Sequence, residues 1–209
     1  MARRLRTALK NGFYSACVVL VRVVLVVLFR LRVTGRSNIS RDESYVAVAR
    51  HRSYWDIVIV AVALGATNQI HFIARKGLMK SFPPVQPLIR TYATIIDREN
   101  FGVRDFRRTL DAVNQHRIVF IFPEGTTRRQ VDAKGGAVYF ASAAGKRILP
   151  INIQAIGPYP PKYPFRFPRV TVSIGAPISL SELESFQEAS RSEKLRSMSE
   201  RLMEKVDQA

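Results

Sequence analysis

Short runs rich in β-branched residues alternate with stretches of helical periodicity through most of this chain of 209 residues. Strand, helix, strand in that order is typical of an α/β domain with a mostly parallel central sheet flanked by helices. The predicted strands are 45–49, 70–74, 93–97, 117–122, 147–153 and 169–174, and the predicted helices are 56–64, 103–115 and 136–144. Because such sheets form their sites at the carboxyl ends of the strands, the residues after each strand are the functional candidates.

No internal repeat or low-complexity stretch interrupts this pattern, so we predict one domain. It covers residues 34–178, follows a basic and apolar segment at 1–33, and precedes amphipathic helices at 179–209 that pack on the domain. The Pro-rich stretch 156–168 is predicted to be a loop. The tail is expected to carry no chemistry.

Two capping-box patterns predict where the tail helices begin. They are Ser179 with Glu182, and Ser190 with Glu193. Apolar residues at helical spacing follow the second pattern, which indicates a helix with one buried face.

The N-terminal segment is predicted to be a membrane anchor. Residues 13–29 are apolar apart from Arg22 and would form a helix of roughly 26 Å, against a hydrocarbon core of about 30 Å. A central arginine costs about 2.5 to 3.5 kcal/mol in a spanning helix, so we predict an anchor in one leaflet with Arg22 reaching the headgroups. A signal peptide is the alternative, although no small-residue cleavage site follows.

The net charge of +17 indicates an anionic partner. Residues 1–36 carry eight basic side chains and no acidic one, which favours an anionic membrane surface, and we expect the chain at the cytoplasmic face of a membrane. A basic membrane- or nucleic-acid-binding module is the non-enzymatic alternative. We expect no nucleic acid, because the basic residues border apolar runs and form no known recognition pattern.

A histidine and an aspartate follow the first predicted strand, as His51 and Asp56 in the stretch RHRSYWD. Five positions rotate a helix by about 140°, so the two side chains cannot share a helical face and must straddle a turn. A carboxylate that folds back onto one imidazole nitrogen raises the basicity of the other and produces a general base. On spacing alone, a histidine that only caps the helix is the alternative.

Two other predicted strands also end in polar stretches. FIFPEGTTR places Glu124 and backbone N–H groups at the sheet edge, and IIDRE places Arg98, whose guanidinium can fork onto phosphate oxygens. Since carboxyl ends of parallel strands meet at one edge, we expect both residues to lie near His51.

These stretches resemble four sequence blocks of the glycerolipid acyltransferases, the family of the 1-acyl-sn-glycerol-3-phosphate acyltransferases. The blocks occur in family order across about residues 34–178. They are the H-x-x-x-x-D block at His51 and Asp56, the I-D-R block ending at Arg98, F-P-E-G-T at Phe122 to Thr126, and a proline-centred block with Lys134 and Pro150. Arg50 stands where the family usually has Asn, and Tyr92 where it commonly has Gly.

The resemblance implies transfer of an acyl chain from a thioester, acyl-CoA or acyl-carrier protein, to the free hydroxyl of a lysophospholipid. The implied acceptor is 1-acylglycerol-3-phosphate, giving phosphatidic acid. A different lysolipid or glycolipid acceptor is the alternative, because Thr127 stands where many relatives have Arg.

The resemblance also assigns residues to roles. His51 and Asp56 would be catalytic, and backbone N–H groups near Gly125 or beside the His51 turn would hold the thioester oxyanion. The implied substrate-binding residues are Arg98, Glu124, Gly125, Thr126, Thr127, Arg128 and Lys134. No cofactor is implied beyond the acyl donor, and the three histidines and single cysteine show no metal-ligand spacing.

Overall fold

The fold was obtained as a computed structural model, which describes residues 2–81, 86–124, 135–162, 166–184 and 190–209. The strands are β1 (Arg32–Thr34), β2 (Tyr45–Val48), β3 (Ile70–Arg75), β4 (Ala93–Ile96), β5 (Ile118–Ile121), β6 (Arg147–Ile156) and β7 (Arg169–Ile174). The α-helices are α1 (Ala2–Phe29), α2 (Trp55–Leu64), α3 (Gly77–Ser81), α4 (Gln86–Tyr92), α5 (Val103–Gln115), α6 (Gly136–Ala143) and α7 (Arg191–Gln208).

The strands form one sheet in the order β1-β7-β6-β2-β5-β3-β4. Neighbouring strands are parallel except β6 and β7, which are antiparallel. The mostly parallel sheet is therefore confirmed, and each predicted strand and helix between residues 45 and 174 is present with ends that differ by at most three residues. The unpredicted elements β1, α3 and α4 have three, five and seven residues, too few to show a clear period.

Two apolar layers cover the sheet, and β2 contributes to both. Tyr45 and Ala47 point into the layer shared with α1 and α2, whereas Val46 and Val48 point into the layer shared with α5, α6 and α7. All four side chains are buried, as expected for a central strand covered on both faces. The turn after β2 therefore starts from a rigid support.

Helix α1 packs on the domain along one face. Its buried residues recur at helical spacing, and they are Tyr14, Val18, Leu25 and Phe29. They belong to the same apolar layer as β2 and α2. Tyr92 also holds the helix, because its hydroxyl donates to the Lys10 carbonyl at 2.7 Å. The segment predicted at 1–33 thus shares its core with the domain, and its membrane anchoring stays a prediction.

The other sides of α1 leave large apolar side chains exposed. They are Leu5, Leu9, Phe13, Val19, Leu20, Val23, Val24, Val26, Val27 and Leu28. The stretch Ala8–Phe29 is long and apolar enough to cross a membrane, judged by length and composition. The apolar residues of this segment thus fall into two groups: one face of α1 packs on the domain, and the other sides are exposed.

Both predicted capping boxes are confirmed in the tail. The box of Ser179 and Glu182 begins a 3-10 helix of only three residues, whereas the box of Ser190 and Glu193 begins α7. Helix α7 buries its apolar face in the second layer, which confirms the predicted amphipathic helix.

Candidate active site

His51 and Asp56 form a hydrogen-bonded pair across the turn between β2 and α2. The distance from His51 Nδ1 to Asp56 Oδ2 is 3.2 Å. A carboxylate only accepts, so Nδ1 carries the proton and Nε2 is left as the basic nitrogen. The His51 ring stacks on Phe122, with centroids 4.0 Å apart. The alternative of a histidine that caps α2 is excluded, since Tyr54 occupies the N-cap.

Asp56 is fully buried and accepts hydrogen bonds at both carboxylate oxygens. Oδ2 accepts from the backbone N–H groups of Arg52 and Ser53, each at 2.7 Å, as well as from His51. Oδ1 accepts from the hydroxyl of Tyr159. These donors offset the cost of burying the charge, and they fix the carboxylate against the imidazole.

Glu124 supports the same turn from the segment that follows β5. Its Oε2 accepts the backbone N–H of His51 at 3.2 Å, and its Oε1 forms an ion pair with Arg50 Nη1 at 2.6 Å. The side chain is only 4% exposed. The structure therefore gives Glu124 a contact that positions the His51 turn, while its predicted contact with an acceptor stays a prediction.

Arg50 connects this support to the C-terminal helix. Its Nε and Nη2 donate to the two carboxylate oxygens of Asp207 in α7, each at 2.6 Å. Hydrogen bonds to Asp207 and then to Glu124 raise the pKa of Arg50 above its ordinary value. Arg50, at the position where the family usually has Asn, thus joins Glu124 to Asp207. The C-terminal tail therefore reaches the site, which sequence analysis had not predicted.

The backbone around His51 does not supply the predicted oxyanion site. The N–H groups of His51, Arg52 and Ser53 donate to the carboxylates of Glu124 or Asp56. The expectation that this turn holds the thioester oxyanion is therefore wrong for these three groups. The predictions for Gly125, Thr126, Thr127, Arg128 and Lys134 lie outside the described residues and stay predictions.

An apolar cavity of about 200 Å³ lies beside His51 and extends to α1. Helices α1, α2 and α4 contribute apolar side chains to its lining, among them Cys17, Val18, Val21, Ile57, Ala61 and Leu88. The imidazole is thus in reach of a ligand held in this cavity, because His51 is itself part of the lining.

Two arginines line the same cavity, Arg98 after β4 and Arg75 at the end of β3. Burial, and then the positive charge of Arg75, lower the pKa of Arg98. Within the described parts of the chain, neither guanidinium forms an ion pair with a carboxylate. Arginine side chains bind anionic groups through charged hydrogen bonds, so this pair is a candidate site for such a group.

Sequence analysis predicted Arg98 but missed Arg75, Tyr159 and Asp207. Arg75 ends a strand as Arg98 follows one, so the same reasoning applied to β3 would have found it. Tyr159 and Asp207 carried no comparable signal, because neither lies at the end of a predicted strand.

The other two histidines stand apart from this chemistry. His71 and His116 stack with centroids 3.9 Å apart, and burial lowers the pKa of His71 to about 3, so it is neutral. Over the described ranges, no three His, Cys, Asp or Glu side chains group so that they could hold a metal ion. The expectation of a metal-free enzyme stays a prediction.

The His51–Asp56 pair thus lies at the carboxyl edge of the sheet, and His51 lines one apolar cavity together with two arginines. Residues 30–154 match the family model described as Acyltransferase, so the chain belongs to the Acyltransferase family. The sequence resemblance is thereby confirmed.

Named relatives include two bacterial 1-acyl-sn-glycerol-3-phosphate acyltransferases. The protein of Bacillus subtilis (strain 168) is 27% identical over 194 residues, covering 92% of this chain and 94% of the relative. The protein of Streptococcus pneumoniae (strain ATCC BAA-255 / R6) is 30% identical over 172 residues, covering 78% and 64%. The crystal structure of the 1-acyl-sn-glycerophosphate (LPA) acyltransferase PlsC from Thermotoga maritima superposes with a TM-score of 0.62, at 26% identity, covering 85% and 71%.

Proposed function

We propose that this protein transfers an acyl chain from acyl-CoA or acyl-carrier protein to 1-acyl-sn-glycerol-3-phosphate and so produces phosphatidic acid for phospholipid biosynthesis. The observation that carries this proposal is that His51, Arg75 and Arg98 line one apolar cavity. The acceptor has a hydroxyl, a phosphate and an acyl chain, and each has a chemically matched group here. The names of both bacterial relatives support the same acceptor.

The reaction follows from the hydrogen bonding of His51. Its Nε2 removes the proton of the acceptor hydroxyl as that oxygen attacks the thioester carbonyl carbon, and Asp56 stabilises the resulting imidazolium. The tetrahedral intermediate then collapses, the C–S bond breaks, and the imidazolium returns the proton to the leaving thiolate. No covalent enzyme intermediate is required, because the thioester is already activated, and no cofactor is required beyond it.

The arginine pair gives the proposal a direct test. Arg98→Ala and Arg75→Ala should each raise KM for lysophosphatidate by about ten- to a hundredfold, because a charged hydrogen-bond partner contributes about 1.5 to 3 kcal/mol. KM for the zwitterionic lysophosphatidylcholine should change less. Arg108→Ala, on the exposed face of α5, is the matched control. Equal effects on both acceptors would remove the phosphate-binding assignment.

The apolar cavity is proposed to hold an acyl chain, since each buried methylene contributes about 0.8 kcal/mol. Val21→Phe should shift acyl use toward shorter chains, because Val21 lines the cavity, whereas Val24→Phe on the exposed side of α1 should not. Product chain lengths read by mass spectrometry compare the two variants. An unchanged chain profile for Val21→Phe would show that the cavity does not hold the chain.

The proposed partner surface is the cytoplasmic face of an anionic membrane. The buried face of α1 contacts the domain from Tyr14 to Phe29, so this stretch cannot cross a bilayer without drawing the domain in with it. A helix lying in one leaflet leaves its bare apolar sides in lipid and its basic residues near the headgroups.

A further inference from the structure

The second carboxylate oxygen of Asp56 has one hydrogen-bond partner within the described residues, the hydroxyl of Tyr159. Asp56 is fully buried, and its other oxygen already accepts from His51 and two backbone N–H groups. A buried carboxylate oxygen without a donor is unfavourable, so this hydroxyl matters to the state of the pair. Tyr159 comes from the Pro-rich loop after β6, far from the turn in sequence.

The position of the Tyr159 hydroxyl is set by its surroundings. Its ring packs against the apolar layer beneath α1 and α2, and the Arg52 guanidinium lies 5.5 Å from the ring centroid. Arg52 in turn donates to the carbonyl of Ile153 in β6. Burial raises the pKa of Tyr159, which keeps its hydroxyl protonated and able to donate at neutral pH. Two contacts therefore connect the loop to the turn that carries His51: the Tyr159 hydroxyl donates to Asp56, and the Arg52 guanidinium lies over the Tyr159 ring.

We propose that Tyr159 is a positioning residue for acyl transfer, whose hydroxyl holds the Asp56 carboxylate in the orientation that keeps Oδ2 on His51 Nδ1. The inference rests on the proposed function of His51 as the general base. Without the hydroxyl, the carboxylate loses one of the four contacts that oppose its rotation about the Cβ–Cγ bond. The imidazole then loses part of its fixed orientation toward the acceptor.

The hydroxyl also affects charge. By donating to Oδ1 it draws negative charge away from Oδ2, so its removal changes the hydrogen bond between Oδ2 and His51 Nδ1. Among the described residues, the other charged or titratable groups around the pair include Arg50, Arg52, Tyr54, Arg75, Arg98 and Glu124. Tyr159→Phe removes none of these charges, which isolates the effect of the hydroxyl.

The test compares Tyr159→Phe with Tyr45→Phe in the full-length protein. Tyr45 is a fully buried tyrosine at the opposite end of β2, where its hydroxyl accepts the backbone N–H of Ser40 at 3.0 Å. Tyr159→Phe should lower kcat roughly tenfold, below the range of about 10² to 10⁴ for loss of a general base, with little change in KM. Tyr45→Phe should leave both kcat and KM at their wild-type values.

A double-mutant cycle tests whether Tyr159 acts through Asp56. Adding Tyr159→Phe to Asp56→Asn should lower kcat much less than adding it to the wild type, because the carboxylate is already gone. The His51 Nδ1 proton resonance, assigned by its loss in His51→Ala, should shift in Tyr159→Phe and not in Tyr45→Phe.

Three outcomes overturn the inference. A Tyr159→Phe enzyme with wild-type kcat and an unshifted His51 Nδ1 proton resonance would do so while leaving the proposed function intact. Fully additive effects in the cycle would show that Tyr159 does not act through Asp56. A wild-type protein that forms no acylated lipid would remove the proposed function, and the inference with it.

Discussion

His51→Ala is expected to lower kcat for acyl transfer by about 10² to 10⁴-fold, which is the contribution of a positioned general base. The fold should remain intact, because the side chain lies at the cavity lining and its backbone N–H contact with Glu124 is kept. Release of free thiol from acyl-CoA measures turnover, and thermal unfolding checks the fold. His116→Ala is the control histidine, and it should retain wild-type kcat.

Asp56→Asn should reduce kcat over a similar range, because an amide does not hold the imidazole in the required tautomer. It should also destabilise the protein, since Asp56 accepts from two backbone N–H groups and from Tyr159 in addition to His51. Loss of the contact with His51 alone, the only one that sequence analysis predicted, would cost less stability.

If His51→Ala kept most of its turnover while folded, His51 would not be the base.

Deletion of residues 2–29 should abolish acyl transfer on both bilayer lysophosphatidate and a soluble short-chain lysolipid. Helix α1 contributes buried side chains to the core and a wall to the cavity. Full burial of one such side chain contributes about 1.5 to 3 kcal/mol, so losing several is comparable to a typical total stability of about 5 to 15 kcal/mol. Turnover on the two acceptors and the unfolding temperature are the measurements.

A surface variant separates membrane contact from this structural role. Leu20→Asp, Val23→Asp and Val27→Asp together change only exposed positions of α1, at 69%, 59% and 67% exposure. The triple variant should fold and acylate the soluble lysolipid, but it should float poorly with anionic vesicles. Unchanged flotation would show that this face does not contact lipid.

For the deletion of residues 2–29, retained activity on the soluble acceptor would show that α1 is not part of the catalytic fold.

The elements around the site were predictable because their signals are local. β2 is a short apolar run buried on both faces, and the spacing of His51 and Asp56 places any contact between their side chains across a turn. The apolar composition of α1 was also evident from the sequence, but it did not show which apolar residues pack on the domain and which are exposed. Composition alone does not distinguish the two, since lipid and protein cores accept the same side chains.

Long-range contacts set the limit of sequence reasoning at the site itself. Tyr159 lies 103 positions from Asp56, and Asp207 lies 157 positions from Arg50. Neither partner belongs to a periodic pattern that points toward the site. Their roles arise only when the Pro-rich loop and the end of α7 are brought to the carboxyl edge of the sheet.

The most direct measurement is mass spectrometry of the lipids formed by the purified protein in anionic vesicles. The reaction contains labelled acyl-CoA, or in parallel labelled acyl-carrier protein, with an equimolar mixture of lysophosphatidate, lysophosphatidylcholine, lysophosphatidylethanolamine and a monoacyl glycolipid. Labelled phosphatidic acid should be the main product, and His51→Ala should form none. A main product from another acceptor, or equal phosphatidic acid from His51→Ala, would contradict acylation of lysophosphatidate by this histidine.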